Sequence, residues 1–97
     1  MFELADVYRF ANDYKNAESF YQQAFTADPK HYVHALYYKG TMQKMLGDVS
    51  GAKETFEQFK KEGKNDASAN AAALKKLVKV QIAGCDSMNV YKNKGQV

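Results

Sequence analysis

The sequence predicts an all-α protein made of repeated helix-turn-helix units, on three observations. Residues of similar size recur at an offset of 35 positions. Apolar residues lie three and four apart, as they do on one face of a helix. Turn-forming residues interrupt them at matching places. The matched pairs are Ala5 with Gly40, Asn12 with Gly47, Ala17 with Ala52, Tyr21 with Phe56, and Ala24 with Phe59.

The first hairpin is predicted over residues 1–31. Its first helix covers residues 2–11, and the turn Asn12-Asp13 ends the apolar pattern. Its second helix runs from about residue 15 to residue 27. Pro29 ends that helix, because proline disfavours helical geometry in the residue before it.

The second hairpin is predicted over residues 32–64. Its first helix starts near Tyr32, and Gly47-Asp48 makes the turn. Its second helix runs from Ser50 or Gly51 to Glu62, with Gly63 as the helix-ending glycine. We expect Ala52, Phe56 and Phe59 to face the core.

A fifth helix is predicted over residues 66–84. Asp66 is a good N-cap, and Gly84 is expected to end the helix. The outer face carries Lys75, Lys76 and Lys79, which suits a helix that covers the exposed end of a stack. Residues 1–84 would then form one domain, and residues 85–97 a linker or the start of a following domain.

The composition is that of a globular protein and not of a disulfide-linked or membrane-spanning one. The chain has 97 residues, 45% of them hydrophobic, which indicates one small globular domain. The net charge of +3 is uneven: residues 1–59 carry six basic and eight acidic side chains, and residues 60–97 carry eight and three. Cys85 is the one cysteine and cannot form a disulfide within the chain. No signal peptide or membrane span is recognisable, and the ending at Val97 suggests an excised fragment.

The pattern resembles the tetratricopeptide repeat (TPR) family. That family has a small residue facing the next helix, a Gly/Asn-x-aromatic turn, and then Ala, an aromatic residue, Ala and Pro at fixed spacing. The first copy has the full set: Ala5, residues 12–14, Ala17, Tyr21, Ala24 and Pro29. The second copy has Gly40, residues 47–49, Ala52, Phe56 and Phe59, with Lys64 in place of proline. The resemblance covers about residues 1–64. It implies a short right-handed α-solenoid that binds proteins and is not an enzyme.

A narrower resemblance concerns residues 77–86. The run that ends in Ile82-Ala83-Gly84-Cys85 looks like the segment that closes the amino-terminal TPR region of Bacteroidetes-type envelope proteins, ahead of a WD-like propeller and an OmpA-like domain. This resemblance implies a scaffold in the periplasm that is associated with the outer membrane. Without it, a cytoplasmic location is expected.

The TPR resemblance also implies where a partner would bind. In that family the first helix of each hairpin lines a concave groove. The positions carried over are Phe2, Asp6, Arg9 and Phe10 in the first copy and His34, Tyr37, Thr41, Lys44 and Met45 in the second. Arg9 and Lys44 occupy equivalent positions and would hold an acidic group of a bound peptide. The alternative for Phe10 and Met45 is that they are core residues.

Two further hypotheses remain open at this stage. The chain could be a structural spacer or self-association module whose groove is filled by its own residues 86–97. The groove lacks the Lys and Asn clamp by which some TPR proteins hold a chaperone's terminal carboxylate, which disfavours a co-chaperone role. Lys75, Lys76 and Lys79 make nucleic-acid binding a weaker alternative.

No catalytic or metal-binding motif is evident. His31 and His34 lie three residues apart, but the sequence offers no clear third ligand. There is no phosphate-binding glycine loop and no nucleophile motif around any serine. We therefore expect no cofactor, no metal and no enzymatic activity.

Overall fold

A computed structural model describes the backbone of residues 1–64 and 69–94 and the side chains of residues 1–64 and 72–87. Within these residues the chain is helical and contains no strand. The helices are α1 (Phe2–Phe10), α2 (Tyr14–Ala27), α3 (His34–Met45), α4 (Val49–Glu62) and α5 (Ala69–Lys94). Each helix packs on the next along the chain, and α5 also contacts α3. The all-α repeat fold predicted from the sequence is confirmed.

The two hairpin turns are built alike. Asn12 and Gly47, which are 35 residues apart, both adopt left-handed backbone conformations, with φ of 63° and 88°. The next residue caps the following helix in each case: Asp13 accepts the backbone N–H of Asn16, and Asp48 accepts that of Gly51. A left-handed residue followed by an aspartate N-cap therefore makes the tight turn in both copies.

The connection between the hairpins follows the predicted stop. α2 ends at Ala27, and Asp28 is extended at φ −153° and ψ 82°, as expected for a residue before proline. The Asp28 carboxylate accepts the backbone N–H of His31 at 3.2 Å. α3 then begins at His34, two residues after the predicted start. The described structure thus places a six-residue connection, 28–33, between α2 and α3.

Two apolar clusters meet at α3. One fills the space between α1, α2 and α3 and includes Ala5, Tyr21 and Met42. The other fills the space between α3, α4 and α5 and includes Phe56 and Val78. Spacing predicts that Ala17, Phe20, Tyr21, Ala24 and Phe25 share one face of α2; the structure buries Ala17, Tyr21 and Ala24 and leaves the two phenylalanines half-buried. The residues predicted to face inward on α4 are all buried: Ala52, Phe56 and Phe59.

The fifth helix corrects the prediction at its carboxyl end. We expected α5 to stop at Gly84, but it continues to Lys94. A glycine inside a helix costs only about 1 kcal/mol relative to alanine. The next residue, Cys85, is fully buried against α3 and α4, and that packing favours a continuous helix. The predicted N-cap Asp66 lies outside the described residues.

α5 occupies the place of the first helix of a third hairpin. At an offset of 36, Val78 corresponds to Met42, and both are buried against the preceding hairpin. The face of α3 that packs on α4 includes Leu36, Gly40 and Gln43. Its counterparts on α5 are Ala72, Lys76 and Lys79, which are all exposed. No helix within the described residues covers this face of α5.

Candidate partner-binding groove

The predicted groove lies on α1 and α3, which meet through the ring of Phe2. That ring lies 4.7 Å from the His34 ring, 5.7 Å from the Tyr32 ring and 6.0 Å from the Tyr38 ring, measured between centroids. Phe2 and His34 are half-buried by these contacts. They form the floor between α1 and α3 and expose little surface to a ligand.

Arg9 is held in the groove by Tyr21 and Asp6. Its Nε–H donates to the Tyr21 hydroxyl at 2.8 Å, and its Nη2 lies 3.3 Å from Asp6 Oδ1. The Tyr21 hydroxyl donates in turn to the same Asp6 oxygen. The Arg9 guanidinium also lies over the Tyr38 ring, with its Cζ 4.8 Å from the centroid. These contacts fix a cation where α1 meets α3.

The protonation states in this network are well defined. Burial raises the pKa of the Tyr21 hydroxyl well above its ordinary value, and the hydrogen bond to Asp6 adds to the rise. Burial alone would lower the pKa of Arg9, but the hydrogen bonds with Tyr21 and Asp6 raise it overall. At neutral pH Tyr21 is therefore a neutral donor and Arg9 a cation.

Phe10 and Met45 are not core residues. They occupy equivalent repeat positions, and their exposed fractions are 74% and 56%. The Phe10 ring has the Arg9 guanidinium above it, with Cζ 4.7 Å from the centroid. This answers the question that the sequence left open for these two side chains. Phe10 thus presents apolar surface beside a cation, and Met45 presents apolar surface on α3.

The second-hairpin half of the groove is partly covered by α5. Lys44 Nζ donates to Gln81 Oε1 at 2.9 Å, and Gln81 Nε2 donates to the Tyr37 hydroxyl at 3.3 Å. Tyr37 is 8% exposed and packs against Phe56. The expectation that Tyr37 offers its ring to a ligand is therefore corrected, since the ring belongs to the core. Lys44, the counterpart of Arg9, is engaged by α5.

Thr41 is the remaining predicted position. Its hydroxyl donates to the Tyr37 carbonyl oxygen at 3.1 Å, within α3, and the residue is half-buried. Among the predicted positions, Phe10 and Met45 are therefore exposed, and Asp6, Arg9 and Thr41 are half-buried. The structure assigns Phe2, His34, Tyr37 and Lys44 mainly to contacts within the protein.

The sequence analysis missed two apolar residues of this face. Leu77 and Val80 on α5 are 49% and 70% exposed. At the same offset of 36 they correspond to Thr41 and Lys44, which are groove positions. Helical geometry places them about 80° to 160° around the axis from Val78 and Cys85, the buried side of α5. Reading α5 as the first helix of a third hairpin, and not only as a cap, would have identified them.

A shallow depression of about 420 Å³ lies along α2 and contains none of the nine predicted positions; its lining is Lys15, Glu18, Ser19, Gln22, Gln23 and Lys39. Among the described residues, no group of three His, Cys, Asp or Glu side chains could hold a metal. None of the helices in the described ranges is long and apolar enough to cross a membrane.

Comparison with protein families agrees with this architecture. Residues 1–31 match one family model described as tetratricopeptide repeat, and residues 34–62 match a second with the same description. Together the matches cover more than half of the chain, which therefore belongs to the tetratricopeptide repeat family. Repeats of this family generally mediate protein-protein interaction and are typically not enzymes. Neither the curated proteins nor the solved structures provided a match.

Proposed function

We propose that this protein binds a peptide segment of a partner along the concave side of α1, α3 and α5. The observation that carries the proposal is Phe10, which is 74% exposed beside a cation that the protein itself fixes in place. Exposed apolar side chains on all three helices continue this surface: Phe10, Met45, Leu77 and Val80.

The chemistry of the surface favours a segment with an apolar side chain next to a carboxylate. The apolar side chain would cover Phe10, while the carboxylate would accept from Arg9. Within the described contacts, Arg9 uses Nε and Nη2, and its Nη1 remains for a ligand. Because Tyr21 and Asp6 already hold the guanidinium, little side-chain entropy is lost on binding.

The test starts from a displayed library of random short peptides selected against the intact chain. We expect the bound peptides to be enriched in an acidic residue beside an apolar one. Phe10→Ala should weaken their binding about tenfold. Leu4→Ala is the matched control, since it truncates an exposed apolar residue on another face of α1. No enrichment, or equal losses from the two variants, would contradict the proposal.

A double-mutant cycle identifies the role of Arg9. Arg9→Gln should weaken a selected peptide, and replacing the peptide carboxylate by an amide should weaken it to a similar extent. The two changes together should cost little more than either one. Additive losses would show that the carboxylate does not meet Arg9.

The second candidate function is a structural spacer, which the contacts of Gln81 with Tyr37 and Lys44 favour. In that case the chain itself fills the half of the groove formed by the second hairpin. The covering residue lies on α5 before residue 86, whereas the sequence analysis considered residues 86–97. A spacer would select no peptide from the library, so the same experiment separates the two functions.

The envelope location remains a prediction that rests on the resemblance around Ile82-Ala83-Gly84-Cys85. The continuation of α5 beyond Gly84 departs from the expectation that the helix ends there. The prediction requires a reading frame that continues past Val97 into a propeller sequence. A frame that ends at Val97 would contradict it.

A further inference from the structure

The outer side of α1 is an exposed apolar face. In the second hairpin, the equivalent side of α3 is covered by a preceding helix. This α1 end face consists of Leu4, Val7 and Ala11, and Leu4 and Val7 are 42% and 61% exposed. The residues lie three and four apart and therefore share one side of the helix. Arg9 lies on the opposite side of α1, and Phe10, three residues after Val7, borders this face.

The internal repeat shows what this face is shaped to contact. Val7 corresponds to Met42, which is 2% exposed in the cluster with Tyr21 and Ala24 of α2. Leu4 corresponds to Lys39, which donates to Gln22 of α2 at 2.7 Å. In the second hairpin, then, this side of the first helix is packed on a preceding helix. The α1 end face is suited to a helix in the same position.

The opposite end of the stack has a complementary face. The α5 end face consists of Ala72, Lys76, Lys79 and Ala83, which are all exposed. It combines small residues, which allow a close approach of helices, with lysines whose aliphatic stems can cover apolar side chains. Charge separates the two ends. α1 and α2 carry three acids and two basic residues, whereas α5 carries five lysines and one aspartate.

We propose that a second copy of this chain docks its α1 end face on the α5 end face of the first, head to tail. Leu4 and Val7 pack on Ala72 and Ala83, and Glu3 lies near the lysines. Each end supplies a helix to a face on which no helix of the described residues packs. The charge difference favours this pairing over a symmetric α1 to α1 contact, because opposite charges meet across the interface.

Blocking each end separately tests the proposal by sedimentation velocity over a range of concentrations. Val7→Asp disables the α1 end face, and the double variant Lys76→Glu, Lys79→Glu disables the α5 end face. We expect the wild-type chain to associate with rising concentration and each variant alone to be monomeric. Mixed in equal amounts, the variants should form a one-to-one pair, since each retains one intact end. Gln58→Asp, at an exposed site on α4, is the control and should associate like the wild-type chain.

Several outcomes would overturn the proposal. A lysine variant that still associates alone would indicate symmetric α1 pairing. A wild-type chain that stays monomeric at every concentration would show that a second copy does not bind the α1 end face. Circular dichroism of each variant must match the wild-type spectrum, and Val7→Thr provides a milder second variant if Val7→Asp fails to fold. The peptide test uses Phe10 and Arg9, so failure of one proposal leaves the other standing.

Discussion

The two hairpins have the same helix-turn-helix arrangement, but residues at equivalent positions make different contacts. Tyr21 and Phe56 are 35 residues apart, and both are fully buried. The Tyr21 hydroxyl reaches Asp6 and Arg9 and extends the core into a polar network. Phe56 has no hydroxyl and packs closely on Gly40 instead. The Tyr21 hydroxyl thus holds a cation in the first hairpin, whereas the equivalent Phe56 contributes only packing to the second.

The contacts of α5 also differ between the two hairpins. In the second hairpin it contributes Val78 and Cys85 to the core, and Gln81 engages Lys44. Lys53 forms an ion pair with Asp86 at 2.6 Å, which adds a polar contact at the rim. α5 therefore closes the second hairpin, while the concave side of α1 stays open. The open region is the one that we propose for binding.

Removing α5 should reduce stability more than any other predicted change. A chain ending at Lys64 loses Val78 and Cys85, both fully buried, and exposes the apolar surface of α3 and α4. Two repeats without a third helical layer are few for independent stability. We expect no cooperative thermal transition by circular dichroism. A cooperative melt at the temperature of the full chain would show that α5 is not part of the fold.

Gly40→Ala tests the close packing of the second hairpin. A Cβ at this position would lie 2.6 Å from Phe56 Cε1, and the Phe56 ring is fully buried. Overpacking costs about 1–3 kcal/mol, and the better helix propensity of alanine returns at most about 1 kcal/mol. We expect the free energy of unfolding in urea to fall by about 1 kcal/mol, and by no more than about 2 kcal/mol. Ala5→Gly is the reciprocal control and should also destabilise, since the first hairpin already accommodates alanine.

Tyr21→Phe makes the first hairpin resemble the second. It removes the hydroxyl between Asp6 and Arg9, and hydrogen bonds to charged groups contribute about 1.5 kcal/mol each. Both bonds are lost while the Arg9–Asp6 contact remains, so we expect a loss of about 1.5–3 kcal/mol at pH 8. The same change at Tyr8 is the control, because Tyr8 is half-buried and stacks on Phe20, and its hydroxyl takes no part in the network of Asp6, Arg9 and Tyr21.

The pH dependence of this variant has a definite sign. The pKa of Tyr21 is raised on folding, so its contribution is complete below the ordinary tyrosine pKa of about 10 and declines at higher pH. Unfolding then releases a proton that the folded chain retains. The stability advantage of the wild-type chain over Tyr21→Phe should therefore shrink above pH 10. A constant difference from pH 8 to pH 11 would contradict the burial of this hydroxyl.

Removing an N-cap should cause one of the smallest losses of stability, and the loss should be similar in the two hairpins. Asp13→Ala and Asp48→Ala each remove a carboxylate that accepts the backbone N–H three residues later. The cost of losing such a cap is about 1 kcal/mol. Urea midpoints should shift by similar amounts in the two variants. A large loss in one alone would mean that the turns are not equivalent.

The repeat frame was predictable from the sequence because helix periodicity and turn residues are local. Ala17, Tyr21 and Phe56 were assigned to the core on spacing alone, and their burial agrees. The end of α5 was not predictable, because burial of Cys85 outweighs the local preference of Gly84. Tertiary packing decided the result there, as it often does against weak propensities.

The contacts of the predicted groove residues could not be derived from the sequence for a similar reason. Spacing predicts which positions lie on the concave side, but it could not show that Gln81 engages Lys44 or that Tyr37 is buried. Those contacts depend on where α5 docks. The hydroxyl of Tyr21 was the one available signal for the Arg9 network, since a buried tyrosine usually finds a polar partner.

Thiol labelling of Cys85 tests most directly whether α5 closes the second hairpin. This side chain is fully buried, and burial also raises the pKa of its thiol, so the reactive thiolate is scarce. In the native chain, reaction with an aromatic disulfide reagent should be far slower than in the chain unfolded by guanidinium. Val78→Asp should bring the native rate close to the unfolded rate. A wild-type chain that reacts as fast when folded as when unfolded would contradict the account.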